Sequence, residues 1–454
     1  MAHRVVIVGG GFAGLYAARS FRGDPVEVTL IDRRNFHVFQ PLLYQVATGG
    51  LSPGEISAPL RVVVNRQKNT IVVLGEVTGI DVAAREVSLA SGVRYPYDTL
   101  IVAAGATHHY FGHPEWERVA PGLKTIEDAT EMRTRILLAF ERAEESTDPA
   151  ERAALLTFVV VGGGPTGVEL AGALGEISRD TLRADFRNIN PAESRIFLVE
   201  GNDRLLSTYP KDLSARAEQS LIELGVRSRL NARVTAIDAN GVTMKTAGGD
   251  VRIEAKTVLW AAGVQASPLG RLLGEATGVP VDNSGRVEVA PDLSIPGHPE
   301  ILVIGDLARI EQENGEQVPG VAPAAMQQGR YAARLIADRL AGKTPKPFHY
   351  FDKGSLATIG RKRAVAVIGK LHFSGLLAWL LWLFVHLLYI VEFESRVLIA
   401  IQWAVSYFTF NRGARLITGA DARLADARIP APPAAEARAA QSPTAQSKLS
   451  AGKQ

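Results

Sequence analysis

The sequence predicts an α/β protein with two Rossmann-like domains, the second inserted in the first, and a C-terminal helical region. Three observations predict this fold class. A strand, a glycine-rich turn, a helix and a second strand follow one another at the N-terminus, the same order recurs from residue 155, and two apolar segments follow residue 375. At 454 residues the chain can form several domains, since a typical domain has roughly 100–200 residues.

The first unit begins with an apolar run, Arg4–Val8, that is typical of a buried parallel strand. Gly9, Gly11 and Gly14 then form a G-x-G-x-x-G turn before a helix, and the next strand leads to Asp32. Such glycines allow the tight turn, the approach of a pyrophosphate and the close packing of helix on strand. The helix N-terminus suits the pyrophosphate and the carboxylate suits a ribose hydroxyl, so we predict a dinucleotide site here.

The second unit repeats this order with a strand over Leu155–Val161 and a turn containing Gly162, Gly164 and Gly167. Glu200 ends the next strand. An acid here, without an adjacent basic cluster, favours NADH over NADPH because a 2′-phosphate would meet a carboxylate. An ordinary strand-end acid is the alternative for Glu200. Two such turns in one chain predict one resident flavin dinucleotide, FAD, and one exchangeable nicotinamide dinucleotide, with a hydride passing between them.

A further strand, Ile301–Ile304, leads into Gly305-Asp306 without a glycine-rich turn of its own, which predicts a return to the first domain. The last residues are rich in Ala, Pro, Ser and Gln and are predicted to be disordered. We therefore predict the following regions: an FAD-binding domain over 1–112 and 291–345, an NADH-binding domain over 113–290, a membrane-associated region over 346–418, and a disordered tail over 419–454.

Composition narrows the function classes. The chain has no cysteine, which excludes disulfides, thiolate-held iron–sulfur clusters and a thiol relay, so electrons must travel on an organic cofactor. A net charge of +3 shows no general nucleic-acid footprint. The N-terminus lacks a basic segment followed by a cleavage site, so we expect the main body to be cytoplasmic.

Two apolar segments, Leu376–Val391 and Val397–Phe410, follow a stretch rich in Lys and Arg. The first approaches the roughly 20 residues that span a bilayer, but the second is too short to return. Helices lying in the interface keep all basic flanks on the cytoplasmic side, so we favour peripheral attachment over spanning. A core helix pair or a dimer interface is the third alternative, and a homodimer stays open.

Several motifs together resemble the two-dinucleotide-binding flavoproteins and, within them, the type II NADH dehydrogenases. The motifs are Gly-Gly-Gly-Phe-Ala-Gly (9–14), Phe-Gln-Pro-Leu-Leu-Tyr-Gln-Val-Ala-Thr-Gly (39–49), Gly-Gly-Gly-Pro-Thr-Gly-Val-Glu (162–169), Val-Leu-Trp-Ala-Ala-Gly-Val (258–264), Ile-Gly-Asp (304–306) and Lys-Gly-Ser-Leu-Ala-Thr-Ile-Gly-Arg (353–361). The resemblance implies oxidation of NADH with reduction of a membrane quinone through FAD, without proton pumping and without a metal. It also implies docking by the C-terminal region on the cytoplasmic face of the inner cell membrane.

The resemblance implies roles for particular residues. Asp306 would bind the FAD ribityl chain, Thr48 would lie near the flavin ring and Val77 near the adenine. Glu169 would lie near the nicotinamide, and Lys353 would approach the flavin from the quinone side. By residue pattern alone, Glu169 is also an acid favoured near a helix N-terminus, and Lys353 a solvated or lipid-facing base.

The complete set of candidate residues falls into three groups. The predicted catalytic residues are Glu169, Gln327 and Lys353. The predicted FAD contacts are Gly9, Gly11, Phe12, Ala13, Gly14, Asp32, Arg33, Thr48, Val77, Ala104, Gly105, Asp306, Ala325 and Lys353. The predicted NADH contacts are Gly162, Gly164, Pro165, Thr166, Gly167, Glu169, Glu200, Ala262 and Gly263.

One position departs from the family pattern. Pro323 stands where the quinone motif of the family has its first glutamine, and a proline has neither an amide side chain nor a backbone donor. Gln327 or Gln328 could replace that glutamine, or both could begin a helix over Gln327–Leu340 and face solvent. The hydrogen bond from the first glutamine to a quinone carbonyl therefore does not carry over.

Two other classes of protein stay open as alternatives, and a third is excluded. A soluble NADH-dependent reductase of a small electron-carrier protein would not need the apolar C-terminal segments. A non-catalytic flavoprotein would bind FAD without being reduced by NADH. A sulfide:quinone reductase would require cysteines that this chain lacks.

Overall fold

The structure is a computed structural model that describes residues 2–391, 393–409 and 412–418. The chain up to Leu416 forms one compact unit, and a second unit begins at Ile417. The predicted disordered tail over 419–454 lies outside the described residues. The exact domain boundaries stay a prediction.

A six-stranded sheet forms the first half of the fold. Its strands are, in spatial order, Ser294–Ile295, His298–Val303, Thr99–Val102, His3–Val8, Val26–Asp32 and Thr70–Leu74. All neighbours pair in parallel except the first two, which are antiparallel. Two of the strands come from residues after 290, so the chain does return to its first sheet, as the sequence predicts.

A four-stranded parallel sheet forms the second half, built entirely from residues between the two parts of the first sheet. Its strands are, in spatial order, Val226–Arg229, Arg195–Val199, Thr157–Val161 and Thr257–Trp260. Both parallel sheets are fully buried along their central strands, which explains their continuous runs of Val, Ile and Leu. The predicted α/β class, with the second Rossmann-like sheet inserted in the chain between the two parts of the first, is confirmed.

Helices cover the sheets and connect them. The α-helices are α1 (Phe12–Ser20), α2 (Leu43–Ala47), α3 (Leu60–Val63), α4 (Ile126–Glu145), α5 (Pro149–Leu155), α6 (Pro165–Glu176), α7 (Lys211–Glu223), α8 (Leu269–Thr277), α9 (Ala322–Leu340), α10 (Gly375–Tyr389) and α11 (Phe393–Thr409). Short 3-10 turns lie at Gln40–Leu42, Pro53–Ile56, Pro114–Arg118, Pro191–Glu193 and Gly305–Leu307. Helices α1 and α9 pack closely, because a Cβ at Gly329 would lie 2.2 Å from the Ala13 carbonyl oxygen.

Smaller sheets complete the described part. Three are three-stranded and antiparallel: Val77–Asp81, Glu86–Leu89 and Arg94–Pro96; Arg233–Asp238, Gly241–Thr246 and Gly249–Glu254; and Ser355–Gly360, Arg363–Ile368 and Leu371–Ser374. Three are strand pairs: Phe36–Val38 with Ser57–Pro59, Ala106–His108 with Val264–Ala266, and Val287–Glu288 with Ala308–Arg309. The sheet over 355–374 was not predicted from the sequence, because Arg361, Lys362 and Lys370 lie in the turns between its short strands and the segment was interpreted only as a basic stretch.

One helix begins earlier than the sequence predicts. Helix α9 begins at Ala322 rather than at Gln327, so Pro323 lies in its first turn. A proline is tolerated there because the first backbone N–H groups of a helix have no partner within it. Helix α6 continues as one π-helical turn over Ile177–Thr181, which lengthens the connection between this helix and the strand that leads to Glu200.

The two apolar C-terminal segments form α10 and α11, which lie against the body of the protein through one face. Trp382 and Ile399 are buried, whereas many apolar side chains on the two helices are exposed. Among the described helices, none is both long and apolar enough to cross a bilayer.

Candidate functional site

The first glycine turn has the geometry that a pyrophosphate requires. Gly9 has φ +106°, and a Cβ on Gly14 would lie 1.8 Å from the Gly9 carbonyl oxygen, so neither position accepts a side chain. At Gly11, which precedes α1, a Cβ would meet no heavy atom of the described chain within 4 Å. The start of α1 therefore faces open space and fits a phosphate group at a helix N-terminus.

The second glycine turn has nearly the same geometry. Gly162 has φ +110°, and a Cβ on Gly167 would lie 1.8 Å from the Gly162 carbonyl oxygen. At Gly164, which precedes α6, a Cβ would again meet nothing in the described residues within 4 Å. The protein thus presents two equivalent helix starts that face open space, one beside each of the two main sheets.

The two strand-end acids hold their glycine turns. Asp32 accepts hydrogen bonds from the backbone N–H groups of Gly10 at 2.5 Å and Arg34 at 2.7 Å. Glu200 accepts from the N–H groups of Gly163 at 2.6 Å and Asn202 at 2.8 Å. A carboxylate has about four lone pairs, so each acid keeps acceptor capacity for ribose hydroxyls while it shapes the turn.

Asp306 lies at the end of His298–Val303, in a short turn beside α1. Gly305 has φ +76°, and its N–H donates to the Oε1 atom of buried Gln328 at 2.5 Å. Among the described residues, no group hydrogen-bonds the Asp306 side chain. The turn is therefore fixed from α9 while the half-buried carboxylate stays available to a hydroxyl of a bound group, as its predicted role requires.

Glu169 lies on α6, where that helix meets the C-terminal sheet. The contact is close, because a Cβ on Gly172 would lie 1.8 Å from the Ile359 carbonyl oxygen. The Thr358 N–H donates to Glu169 Oε1 at 3.3 Å. Burial raises the pKa of Glu169 to about 8, and this N–H and the indole of Trp382 oppose the rise only in part. Glu169 is therefore mostly protonated at neutral pH.

Thr48 lies on the loop after α2. Its side chain is 2% exposed, and its hydroxyl donates to the Tyr44 carbonyl at 2.8 Å. Burial, and after it the negative charge of Glu169, raise the pKa of Tyr44. Helix α6 and the C-terminal end of α2 therefore bring Glu169 and the predicted flavin contact Thr48 to the same part of the molecule.

The predicted quinone-side residues lie near one another around Phe351. The Gln327 amide donates to the Phe351 carbonyl at 2.9 Å and accepts from the Phe351 N–H at 3.0 Å. Lys353, two residues later, is exposed and donates from Nζ to the Tyr389 hydroxyl at 2.8 Å. Gln327 would have to exchange Phe351 for a quinone carbonyl, so its role as a quinone ligand stays a prediction.

The other candidate residues lie where the two turns place them. Phe12 and Ala13 are buried in the first turn of α1, and Pro165 and Thr166 begin α6. The remaining positions follow strand ends or line α9: Arg33 (exposed), Val77 (half-buried, first residue of its strand), Ala104 and Gly105, Ala262 and Gly263, and Ala325 (buried).

Four residues near this site were missed by sequence reasoning. Trp382 is buried beside Glu169, and His386 donates from Nδ1 to the Trp382 carbonyl at 2.7 Å while its ring meets Phe39 edge-on at 6.0 Å. Burial lowers the pKa of His386 to about 4, so the ring is neutral. Glu176 and Arg412 form an ion pair at 2.7 Å.

A sequence signal existed for some of these residues. Glu176 follows Glu169 by two helical turns and therefore shares its face. His386 was visible as the single polar residue in an apolar helix, and a polar residue there must face a partner. Arg412 offered no local signal, because its partners are far away in the sequence.

Comparison with known proteins identifies the class first. A family model described as pyridine nucleotide-disulphide oxidoreductase matches residues 3–329, and one described as the NDH2 C-terminal domain matches residues 352–412. The two glycine turns on two parallel sheets are the features that define this class of nucleotide-binding oxidoreductase.

Relatives narrow the class to one family. The chain is 49% identical over 423 residues to type II NADH:quinone oxidoreductase Ndh of Mycobacterium tuberculosis, covering 92% of this chain and 90% of that protein. It is 48% identical to type II NADH:quinone oxidoreductase NdhA of the same organism, covering 92% and 89%. The chain therefore belongs to the type II NADH:quinone oxidoreductases.

Solved structures agree on the fold. NDH2 from Plasmodium falciparum, solved in complex with NADH, matches with a TM-score of 0.84 at 20% identity, covering 92% of this chain and 100% of that one. The sulfide:quinone oxidoreductase of Aquifex aeolicus matches with a TM-score of 0.68 at 19% identity, covering 92% and 93%. Within the described residues, no three His, Asp or Glu side chains come together to hold a metal ion.

Proposed function

We propose that this protein oxidises NADH and reduces a membrane quinone through bound FAD, without pumping protons. The observation that carries the proposal is the duplicated glycine turn, with two open helix starts on two parallel sheets of one compact unit. The relatives at 49% and 48% identity, whose names include the substrate pair NADH and quinone, support the choice of substrates.

The first turn suits FAD. Asp32 can hold the adenosine ribose, and Asp306, held at the end of a strand beside α1, can bind hydroxyls of the ribityl chain. Thr48 would lie near the flavin ring and Val77 near the adenine. FAD, when bound, accepts a hydride from NADH and supplies two electrons to a quinone. The chain's own residues bind and orient the reactants.

The second turn suits NADH. The Glu200 carboxylate can accept hydrogen bonds from a ribose diol, and its negative charge disfavours the 2′-phosphate of NADPH. Ala262 and Gly263 follow the neighbouring strand Thr257–Trp260, so their backbone lies at the same edge of the sheet as the glycine turn. Parallel sheets of this type bind ligands outside the carboxyl ends of their strands.

Glu169 can hold a proton between the two nucleotide sites and the C-terminal region. With a pKa of about 8 it can donate a hydrogen bond at neutral pH. Lys353 carries a positive charge near Tyr389, where it can stabilise negative charge that develops on a quinone oxygen. Gln327 positions the segment before Lys353 through its paired bonds to Phe351.

We further propose that α10 and α11 dock peripherally on the cytoplasmic face of the inner cell membrane. Their outward faces carry exposed apolar side chains: Leu376, Leu377, Leu380, Phe384, Leu388, Val397, Leu398, Ile401, Val405 and Phe408. Lys362 and Arg361 lie over the Tyr407 ring at 5.3 Å beside this surface, where basic residues favour anionic lipid. A homodimer stays a prediction.

Anaerobic spectroscopy of the purified, FAD-containing protein tests the function. Addition of NADH should bleach the visible absorbance of the oxidised flavin, and a subsequent quinone should restore it. The same protein mixed with NADPH is the control and should bleach far more slowly. A flavin that NADH does not bleach would contradict the proposed function, and one that a quinone does not reoxidise would contradict the acceptor.

A further inference from the structure

The segment after α11 lies against the loop that carries Thr48. The Ala414 N–H donates to the Gly49 carbonyl at 3.1 Å, and Arg133 on α4 donates to the Ala414 carbonyl at 3.3 Å. Gly49 has φ +67°, and a Cβ there would lie 3.0 Å from the Arg415 side chain. The loop and the C-terminal segment are therefore in direct backbone contact.

Arg412 makes the central contact of this segment. Its Nη1 atom donates to the Thr48 hydroxyl at 2.7 Å, and its Nη2 atom donates to Glu176 Oε2 at 2.7 Å. The Arg412 and Glu176 side chains are only 11% and 20% exposed. A planar guanidinium can direct two donors at once to two fixed acceptors, which a lysine cannot do.

The Arg412 contact also fixes the orientation of the Thr48 hydroxyl. The hydroxyl has one hydrogen, which it donates to the Tyr44 carbonyl at 2.8 Å, so Arg412 occupies one of its lone pairs. With both interactions in place the hydroxyl has one orientation. Without the guanidinium, the Thr48 hydroxyl would keep the hydrogen bond that it donates to the Tyr44 carbonyl but would lose the one that it accepts.

Glu176 transmits the contact to the second nucleotide-binding unit. Its other oxygen accepts from the Arg361 N–H at 2.5 Å, so the carboxylate is held by the C-terminal sheet as well as by Arg412. Glu176 and Glu169 lie two turns apart on one face of α6. Arg412 thus joins the Thr48 loop, α6 and the C-terminal region at one point.

Helix α11 holds the same loop from its other end. The Trp403 indole donates to Gln45 Oε1 at 2.8 Å, and Gln402 hydrogen-bonds Glu55. The segment from Gln45 in α2 to Glu55 is therefore hydrogen-bonded by two successive parts of the C-terminal region, α11 and the segment after it. Of these side chains, Arg412 is the one that hydrogen-bonds both a predicted flavin contact, Thr48, and a residue of α6, Glu176.

We propose that Arg412 is a positioning residue for the redox site: it fixes the Thr48 hydroxyl relative to Glu169 by tying the Thr48 loop to α6. This inference rests on the proposed function, since it takes Thr48 as a flavin contact. It assigns the C-terminal segment a part in shaping the flavin site in addition to membrane docking.

The test compares full-length Arg412→Met with wild type. We expect FAD to bind about tenfold to a hundredfold more weakly, the range set by loss of a buried charged hydrogen bond. The visible absorbance and circular dichroism of the remaining bound flavin should shift. Anaerobic reduction by saturating NADH should slow by a similar factor, because small misplacements of reactants are costly.

Arg363→Met is the matched control. Arg363 pairs with Glu223 at 2.9 Å between the C-terminal sheet and α7, but this pair is more exposed and touches no predicted cofactor contact. We expect its FAD affinity, flavin spectrum and reduction rate to equal those of wild type. An Arg412→Met protein with a lower Tm but wild-type values in these three measurements would overturn the proposal, since the ion pair would then be merely structural.

A double-mutant cycle keeps the test decisive if Arg412→Met does not fold. Arg412→Lys keeps the charge but not the fork, and Thr48→Val removes the acceptor at similar volume. Non-additive effects of the two changes on FAD affinity support a direct coupling, and additive effects overturn it. Failure of the proposed function is distinguishable, because NADH would then fail to bleach the flavin of the wild-type protein itself.

Discussion

Replacing Glu169 with glutamine tests whether this side chain carries a proton at neutral pH. Burial raises its pKa from 4.5 to about 8, against the opposing effects of the Thr358 N–H and the Trp382 indole. A carboxyl with that pKa is protonated about ten to one at pH 7. Glutamine has the same shape and cannot ionise, so it imitates the protonated acid at every pH.

The pKa difference sets the size and sign of a stability effect. Because the folded-state pKa is the higher one, the folded protein binds an extra proton between pH 4.5 and about pH 8. Its stability is full below pH 4.5 and falls as the pH rises through that window. At about 1.4 kcal/mol per pH unit, the whole window amounts to at most about 5 kcal/mol.

Thermal unfolding converts this free energy into a measurable shift. With an unfolding entropy of about 2.1 cal/mol/K per residue, 5 kcal/mol corresponds to roughly 5 °C in Tm for a chain of 454 residues. The Tm of FAD-loaded Glu169→Gln should equal that of wild type near pH 5. The variant should then become the more stable protein by several degrees at pH 9.

An exposed acid provides the control for this measurement. Glu275 lies exposed on α8, and Glu275→Gln should differ from wild type by an amount that does not change over the same pH range. If the Glu169→Gln difference is equally flat between pH 5 and 9, then Glu169 is already ionised at pH 5. The reasoning from its burial would then be refuted.

Five further substitutions probe the two nucleotide sites and the docking surface. Asp306→Ala should lose FAD, measured as the flavin-to-protein ratio, and a fully loaded variant would contradict the ribityl role. Glu200→Gln should raise the KM for NADH more than it lowers kcat and weaken the preference over NADPH; an unchanged preference would remove Glu200 from the ribose site. Gly167→Ala places a methyl group 1.8 Å from a carbonyl oxygen and should destabilise the protein by about 1–3 kcal/mol or more. Gly164→Ala enters open space and should lower NADH affinity with little change in Tm. Equal losses of Tm in the two variants would argue against this reading. Phe384→Asp, at a side chain that is 60% exposed, should reduce co-sedimentation with anionic lipid vesicles while the flavin spectrum stays unchanged, and undiminished co-sedimentation would argue against docking through α10.

Much of the fold was predictable because its determinants are local. The strand predicted over Arg4–Val8 begins one residue earlier, at His3, and the strand predicted over Leu155–Val161 begins two residues later, at Thr157. The helix predicted from Gln327 begins at Ala322 instead. The predicted start was too late because a proline inside a helix breaks it, and only the structure shows that Pro323 lies in the first turn, where it is tolerated. The C-terminal sheet over 355–374 was missed, since Arg361, Lys362 and Lys370 lie in the turns between its short strands and make the segment look like one basic stretch.

The candidate site was predictable to a lesser extent. Asp306 and Thr48 were named by resemblance to a family. The structure adds that the Asp306 carboxylate has no hydrogen-bond partner among the described residues, whereas the Thr48 hydroxyl donates one hydrogen bond and accepts another. Gln327 was named for its amide, which the structure shows to be bonded to Phe351. Which groups still have hydrogen-bonding capacity depends on neighbours that the motif does not contain.

The two glycine turns and the acids that follow them are predictable from the chain alone, because a Cβ at Gly14 or Gly167 would meet the carbonyl oxygen of Gly9 or Gly162, only five residues away. The protonation of Glu169 depends instead on how distant segments pack, since its pKa is raised where the C-terminal sheet and α10 exclude water. The same holds for Arg412, whose acceptor Thr48 lies 364 residues away in the sequence. A steric requirement within one turn can be recognised from the motif itself, whereas desolvation and long-range hydrogen bonds exist only once distant segments have packed together.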